Sequence, residues 1–311
     1  MSPSPRWIVP ALILALGSLI GTNTALAKGL VVGGIAPLSL LLWHQAGATV
    51  VLLAALAWRG EAFPWTPRVL GYSALLGLCS LTLPSAIGFH AMPHIGAGTY
   101  TAMFTLSPLC TFALRWAVDR AYPGHRRLLG LAVGGLGALS LVIAGLSLAP
   151  GNGGWLALAL VTPLLLATGN LVRERLMPPG VSRLQLSVAQ PVAQLAMLVP
   201  LAMLSGTPMA LPLPPLTGED AVLAAQVAIA VAIYPLFFQL QARADAVALS
   251  QIGYVTVAVG VLWGAALYGE SLSPWMAVAV VLLLAGLHLV QSASRALPAP
   301  PAAADAARPS P

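Results

Sequence analysis

Polar side chains stand out in this chain because so little around them is polar. Asn23, Trp43, His44, Gln45, Tyr100, Thr105, Asn170, Gln190, Gln251 and Tyr254 all fall within uncharged runs long enough to cross a bilayer. Stranding such groups in lipid is costly, so each should face a cavity or a neighbouring helix. Amides, hydroxyls, an imidazole and aromatic rings bind and stack on small solutes, and these residues are the candidate substrate contacts. Spacing supports shared faces: Gln190 and Gln194 are four apart, Gln226 and Tyr234 eight apart, Gln251 and Tyr254 three apart. Helix-to-helix hydrogen bonding is the plainer use of such groups and accounts for about half of them.

His44 is read as the one ionisable side chain well inside a run, and it is the leading candidate there to carry a proton. His90 and His94 are four apart, but Pro93 interrupts the helix and no acid or thiol completes a metal site, so they are read as an outward loop. No Asp or Glu lies within a run, and no nucleophile with its base or set of metal ligands is visible. The reading is therefore of a protein that is not an enzyme, with no cofactor and no metal.

The elements that hold these residues are fixed by charge. A helix needs about 20 apolar residues to cross about 30 Å of hydrocarbon. With 59% apolar and 7% charged residues, the chain marks its own span ends. Eight uncharged runs, two of them broken by turn-forming Pro and Gly clusters at 92–96 and 149–154, predict ten spans. These lie near 7–27, 36–57, 69–89, 95–116, 128–148, 154–172, 184–204, 221–241, 246–268 and 274–291. The Pro- and Ala-rich tail, 297–311, is expected to be disordered and cytoplasmic.

Thirteen of the 14 basic residues fall in alternate loops or at the termini, leaving only Lys28 on the opposite side. Basic loops stay cytoplasmic, which places both termini inside. This pattern explains the net charge of +6 better than nucleic-acid binding does, since the basic residues are scattered instead of forming one face with exposed aromatics. Arg6 and Ala25-Leu26-Ala27 resemble a cleavable signal, but the run between them is of membrane length and is read as an uncleaved span. Cys79 and Cys110 are read as small packing residues.

Sliding the chain against itself pairs Thr105 with Thr256, Asp119 with Glu270, Pro123 with Pro274 and Gly135 with Gly286 at an offset of 151. An offset of 147 pairs Asn23 with Asn170 and Lys28 with Arg175. Five spans per half is an odd number, so the halves should be inverted: an all-α membrane protein of ten transmembrane helices, with repeats over 7–148 and 154–291. Gly17 with Gly21, Gly130 with Gly134, and Gly260 with Gly264 have the spacing that lets helices pack closely in lipid. Glu270 is read as part of a helix start, with Ser273 as cap and Pro274 in the first turn.

The stretch Ala97–Pro108 leading to Asp119, the stretch Ala246–Tyr268 leading into Gly269-Glu270-Ser271-Leu272-Ser273, and Ala167-Thr168-Gly169-Asn170 through Arg173 resemble the drug/metabolite transporter superfamily. Within it they look like the ten-helix EamA-type transporters, from about Trp7 to Val290. His44 stands about where the family often has an Arg in its second span, and only the second half keeps the Glu. The resemblance implies an exporter of amino acids or similar metabolites. Without a nucleotide-binding loop its transport is expected to be secondary, the ratio of 13 Arg to one Lys suggests a bacterial inner membrane, and a monomer or homodimer is expected. An uptake permease or a drug-efflux carrier is the alternative. A channel is disfavoured because no charge ring or carbonyl filter motif is apparent, and no phosphate-binding loop of an ATPase is present.

Overall fold

The computed structural model describes residues 7–95, 100, 103–120, 124–146, 152–207, 218–269 and 274–295, and these hold helices and connecting turns with no strand among them. In chain order the helices are α1 (Ile8–Val32), α2 (Pro37–Trp58), α3 (Pro67–Gly77), a π turn (Leu78–Thr82), α4 (Leu83–Ile95), a 3-10 turn (Phe104–Leu106), α5 (Ser107–Asp119) and α6 (His125–Leu146). There follow α7 (Gly153–Ala159), α8 (Val161–Arg175), α9 (Arg183–Leu204), α10 (Gly218–Gln241), α11 (Ala246–Ser250), α12 (Ile252–Tyr268) and α13 (Pro274–Arg295). Among the described residues seven segments are long and apolar enough to cross a membrane: Ile8–Val32, Pro37–Trp58, Pro67–Gly88, Gly153–Arg175, Arg183–Leu204, Asp220–Gln241 and Ala246–Tyr268. The spans expected at 95–116, 128–148 and 274–291 fall where description is partial, with α5, α6 and α13 as their described helices. The tail at 297–311 and the Glu270–Ser273 helix start lie outside the described residues.

Proline shapes two of these elements and leaves a third unbroken. Pro84 has no N–H to offer the carbonyl of Ser80 and its ring crowds that carbonyl, so the preceding turn widens. The N–H of Leu83 reaches back to the Leu78 oxygen. Pro163 likewise cannot donate to Ala159, and the chain turns at Leu160 between α7 and α8. At Pro93 the helix is not interrupted: α4 runs on to Ile95, so His90 and His94 are helical instead of forming the expected loop. They do not act as a pair, because His90 Nδ1 lies 2.8 Å from its own helix's Ala86 oxygen, whereas His94 stacks on Trp155 with ring centroids 4.2 Å apart.

Two of the three glycine pairs serve as packing notches. A Cβ at Gly286 of α13 would lie 2.5 Å from the Gly134 nitrogen of α6, and one at Gly17 of α1 would lie 2.4 Å from Val255 Cβ of α12. Gly260 is different: a Cβ there would meet nothing within 4 Å, so its spacing does not reflect a close helix contact. Large aliphatic side chains such as Leu136, Met203 and Val281 stay exposed on the bundle's outer surface, as a lipid-facing surface requires. Trp7, Trp58 and Trp65 at helix ends are exposed as well, where aromatic rings sit at a membrane interface.

Candidate functional site

The polar residues of α10 organise the interior. Gln226, Tyr234 and Gln241 are eight and seven residues apart, two turns each, so they share one face along about 22 Å of helix. All three are buried, and each anchors a layer of hydrogen bonds to other helices.

The middle layer is a closed triangle. Gln45 Nε2 of α2 donates to Tyr234 Oη at 2.6 Å and to Gln194 Oε1 of α9, and the Tyr234 hydroxyl donates to the same Gln194 oxygen at 2.5 Å. Two turns away along α10, Gln226 Nε2 donates to the Asn23 carbonyl at 3.1 Å, and Asn23 Nδ2 lies 3.4 Å from His44 Nε2. Asn23 Oδ1 and Gln226 Oε1 are buried without a protein partner. Trp263 Nε1 donates to Thr22 Oγ1 at 2.9 Å, so α12 is tied to the residue that precedes Asn23.

The third layer lies toward the end of the bundle where the arginines gather. Gln241 Nε2 donates to Tyr72 Oη at 2.6 Å and to the Arg173 carbonyl at 2.8 Å. Arg173 Nη1 donates to Ser80 Oγ at 2.9 Å, and its guanidinium lies over the Phe237 ring, 4.6 Å from the centroid. The widened turn before Pro84 carries Ser80 and Cys79 into this layer. Arg173, assigned by charge counting to a loop, is thus buried within the bundle, and His44 is not the only ionisable group inside it. Sequence reasoning missed Arg173, Tyr72 and Gln241. The seven-residue step from Tyr234 to Gln241 was the available signal for the last of these.

The sequence-derived candidates divide accordingly. Asn23, His44 and Gln45 enter the column, and Gln190 is buried one turn from Gln194 on α9. Trp43 packs beside the apolar cluster of Leu38, Leu42, Leu198 and Ala202. Tyr100 donates to the Pro84 carbonyl and lies 3.0 Å from Thr162 Oγ1, away from α10. Asn170 donates to Thr111 of α5 at 3.3 Å, so it shares no partner with Asn23. Gln251 donates to Val247 within its own segment at 3.3 Å, and the Tyr254 ring lies against Gly134 with its hydroxyl unpartnered. The Thr105 side chain lies outside the described residues.

The arginine-rich end is tied by ions. Arg127 Nη2 reaches both oxygens of Asp245 at 2.7 and 2.6 Å, and Arg115 Nη1 reaches Asp245 at 2.8 Å and Glu174 at 3.2 Å. Asp119 accepts from Arg175. Burial alone would raise the Asp245 pKa, but the Arg127 charge and its hydrogen bond, the Ala248 N–H and Arg115 outweigh it and hold the carboxyl below its ordinary value. At the opposite end a cleft of about 380 Å³ opens between α1, α10 and α12, lined by Leu26, Gly29, Leu30, Gly218, Val222 and Tyr268.

Residues 7–143 match the model of the EamA-like transporter family, which bears out the resemblance over the first half of the chain. No curated protein matches by sequence. Among 28 matching solved chains, one crystal structure superposes with a TM-score of 0.68 at 17% identity, covering 94% of this chain and 99% of the other. At that identity the likeness speaks for the fold. Seven apolar segments among the described residues and the match over residues 7–143 together make this an integral, multi-pass membrane protein.

Proposed function

We propose that the chain is a secondary carrier that exports small metabolites such as amino acids across the plasma membrane, alternating access between two inverted five-helix repeats over 7–148 and 154–291. The observation that carries this reading is the column of buried polar layers along α10, in a bundle whose first half matches a transporter family. A polar route through an apolar bundle is what a small solute needs, and its amides and hydroxyls suit neutral or zwitterionic groups.

Packing partners support the repeat. Helix α1 packs on α12 and α10, while α8 packs on α5 and on the segment from α3 to α4. Those are the same relations with each helix exchanged for the one five spans away. The pairs α2 with α9 and α6 with α13 join equivalent helices of the two halves. The fourth helix of each half also ends in a left-handed residue, Arg120 at φ 50° and Gly269 at φ 62°.

The test is transport by the purified carrier in liposomes against a metabolite panel, with and without imposed ion gradients. Saturable movement of one class of solute is expected. Flux no faster than in protein-free liposomes across the panel, or an ion current without solute movement, would overturn the proposal.

A further inference from the structure

Among the described residues two arginines are buried, and one of the two has an anion beside it. Arg127, 7% exposed, is held by both oxygens of Asp245. Arg173, 6% exposed, has no carboxylate within 4.0 Å among the described residues. Of its five N–H donors, one is taken by Ser80, the face of the group is covered by Phe237, and Nε is buried without a partner. A desolvated guanidinium with an open donor edge is costly to keep, and the geometry of that edge fits the two oxygens of a carboxylate.

The surroundings complete such a site. The hydroxyls of Ser80 and Tyr72 lie in the same layer, and Gln241, which bonds Tyr72 and the Arg173 backbone, keeps a buried, unpartnered Oε1. Gly169 lets Ser80 and Arg173 pack against the backbone of α8: a Cβ there would lie 2.6 Å from Ser80 Oγ and 3.4 Å from Arg173 Nη1. Phe237 is three residues, one turn, from Tyr234, so the layer continues into the middle of the column.

We propose that Arg173, with Ser80 and Tyr72, forms the subsite for the carboxylate of the transported solute, an inference that rests on the reading of the chain as a carrier. The solute is then an acid or a zwitterion, and its carboxylate takes the place of the missing counter-ion at the arginine-rich end of the column.

The experiment is thermal unfolding of the purified full chain in detergent with L-phenylalanine, L-leucine, benzoate and acetate, each beside its own carboxamide. At least one acid should raise the unfolding midpoint where its amide does not. Arg173→Gln should weaken that acid at least about tenfold, as loss of one charge-assisted hydrogen bond implies, and Arg173→Lys should retain part of the effect. Without solute, Arg173→Gln should melt at or above the wild-type midpoint, because it removes an unpaired buried charge. Ser80→Ala, which leaves the arginine in place, should weaken the same acid.

Equal shifts from acids and amides, no shift from any acid, or a shift that survives Arg173→Gln would overturn the subsite. So would a response to phosphatidylglycerol micelles and to no acid, which would assign Arg173 to a lipid headgroup. Liposome flux separates this inference from the carrier reading. Acid binding lost in Arg173→Gln with no flux in any protein sinks the carrier and keeps the subsite. Flux of neutral solutes alone, unchanged in Arg173→Gln, does the reverse.

Discussion

Gln45, Gln194 and Tyr234 satisfy one another where no water or lipid could, so their hydrogen bonds cannot be removed singly without cost. Gln194→Leu takes away the oxygen that accepts from both partners and leaves the Tyr234 O–H and one Gln45 N–H without that acceptor, a loss of about 1–3 kcal/mol in stability. Adding Gln45→Leu should cost less than the sum of the two single changes, since both disrupt one network. Denaturant unfolding in detergent of the two single variants and the double variant measures this, and strict additivity would mean the triangle does not act as a unit. Asp245 makes a pH-dependent contribution of the opposite kind. Its carboxyl pKa is lower folded than unfolded, so its stabilisation is complete above the unfolded value of about 4 and fades as pH falls through the folded one. Asp245→Asn should lower stability near pH 7 by about 2 kcal/mol, below the range for a fully buried pair because Asp245 is partly exposed. Its unfolding midpoint should converge with that of the wild type in acid.

At the scale of elements, contact in lipid depends on how closely backbones approach, because apolar side chains gain nothing by leaving one hydrocarbon environment for another. The α6–α13 crossing is the tightest instance, with Gly134 and Gly286 facing each other. Gly286→Ala places a methyl against backbone and should push the helices apart at a cost of about 1–3 kcal/mol. Gly260→Ala has open space and helical backbone, so it should be neutral or stabilise by up to about 1 kcal/mol. Melting temperatures of the two variants decide the matter, and similar losses from both would mean the close approach is unimportant. The widened turn ahead of Pro84 is an element-scale device of another sort, since it turns Ser80 toward Arg173.

Across the whole molecule, the ion pairs at the arginine-rich end join first-half residues Arg115, Asp119 and Arg127 to second-half residues Glu174, Arg175 and Asp245. This brings the loops after α5, α8 and α10 to one end, as the distribution of basic residues requires if that end is cytoplasmic. A cysteine at Leu176, in a background with Cys79 and Cys110 replaced by Ala, should therefore react with an impermeant reagent only from the cytoplasmic side. One at Asn152, at the other end, should react only from outside. Labelling of Asn152 from the cytoplasm would overturn the span count and the inverted arrangement together.

The bounds of the spans near 36–57, 154–172, 184–204, 221–241 and 246–268, the shared face of Gln226 and Tyr234, and the tight packing at Gly17 and Gly134 were legible in the sequence, whereas the first helix runs past Lys28 to Val32. Charge is excluded from hydrocarbon, and a helix repeats its faces every 3.6 residues, so both rules act locally along the chain. Which polar groups met was not legible, because Gln45 and Gln194 are 149 residues apart and helical periodicity gives a face but not the helix that will occupy it. Gly260 has the same spacing signal as Gly130, yet only the latter faces another backbone. Arg173 shows the difference most clearly. A basic residue at the end of a span can lie at the membrane surface or inside the bundle, and the choice was made by Phe237, Ser80 and Gln241, which tertiary packing carried to it from distant parts of the chain.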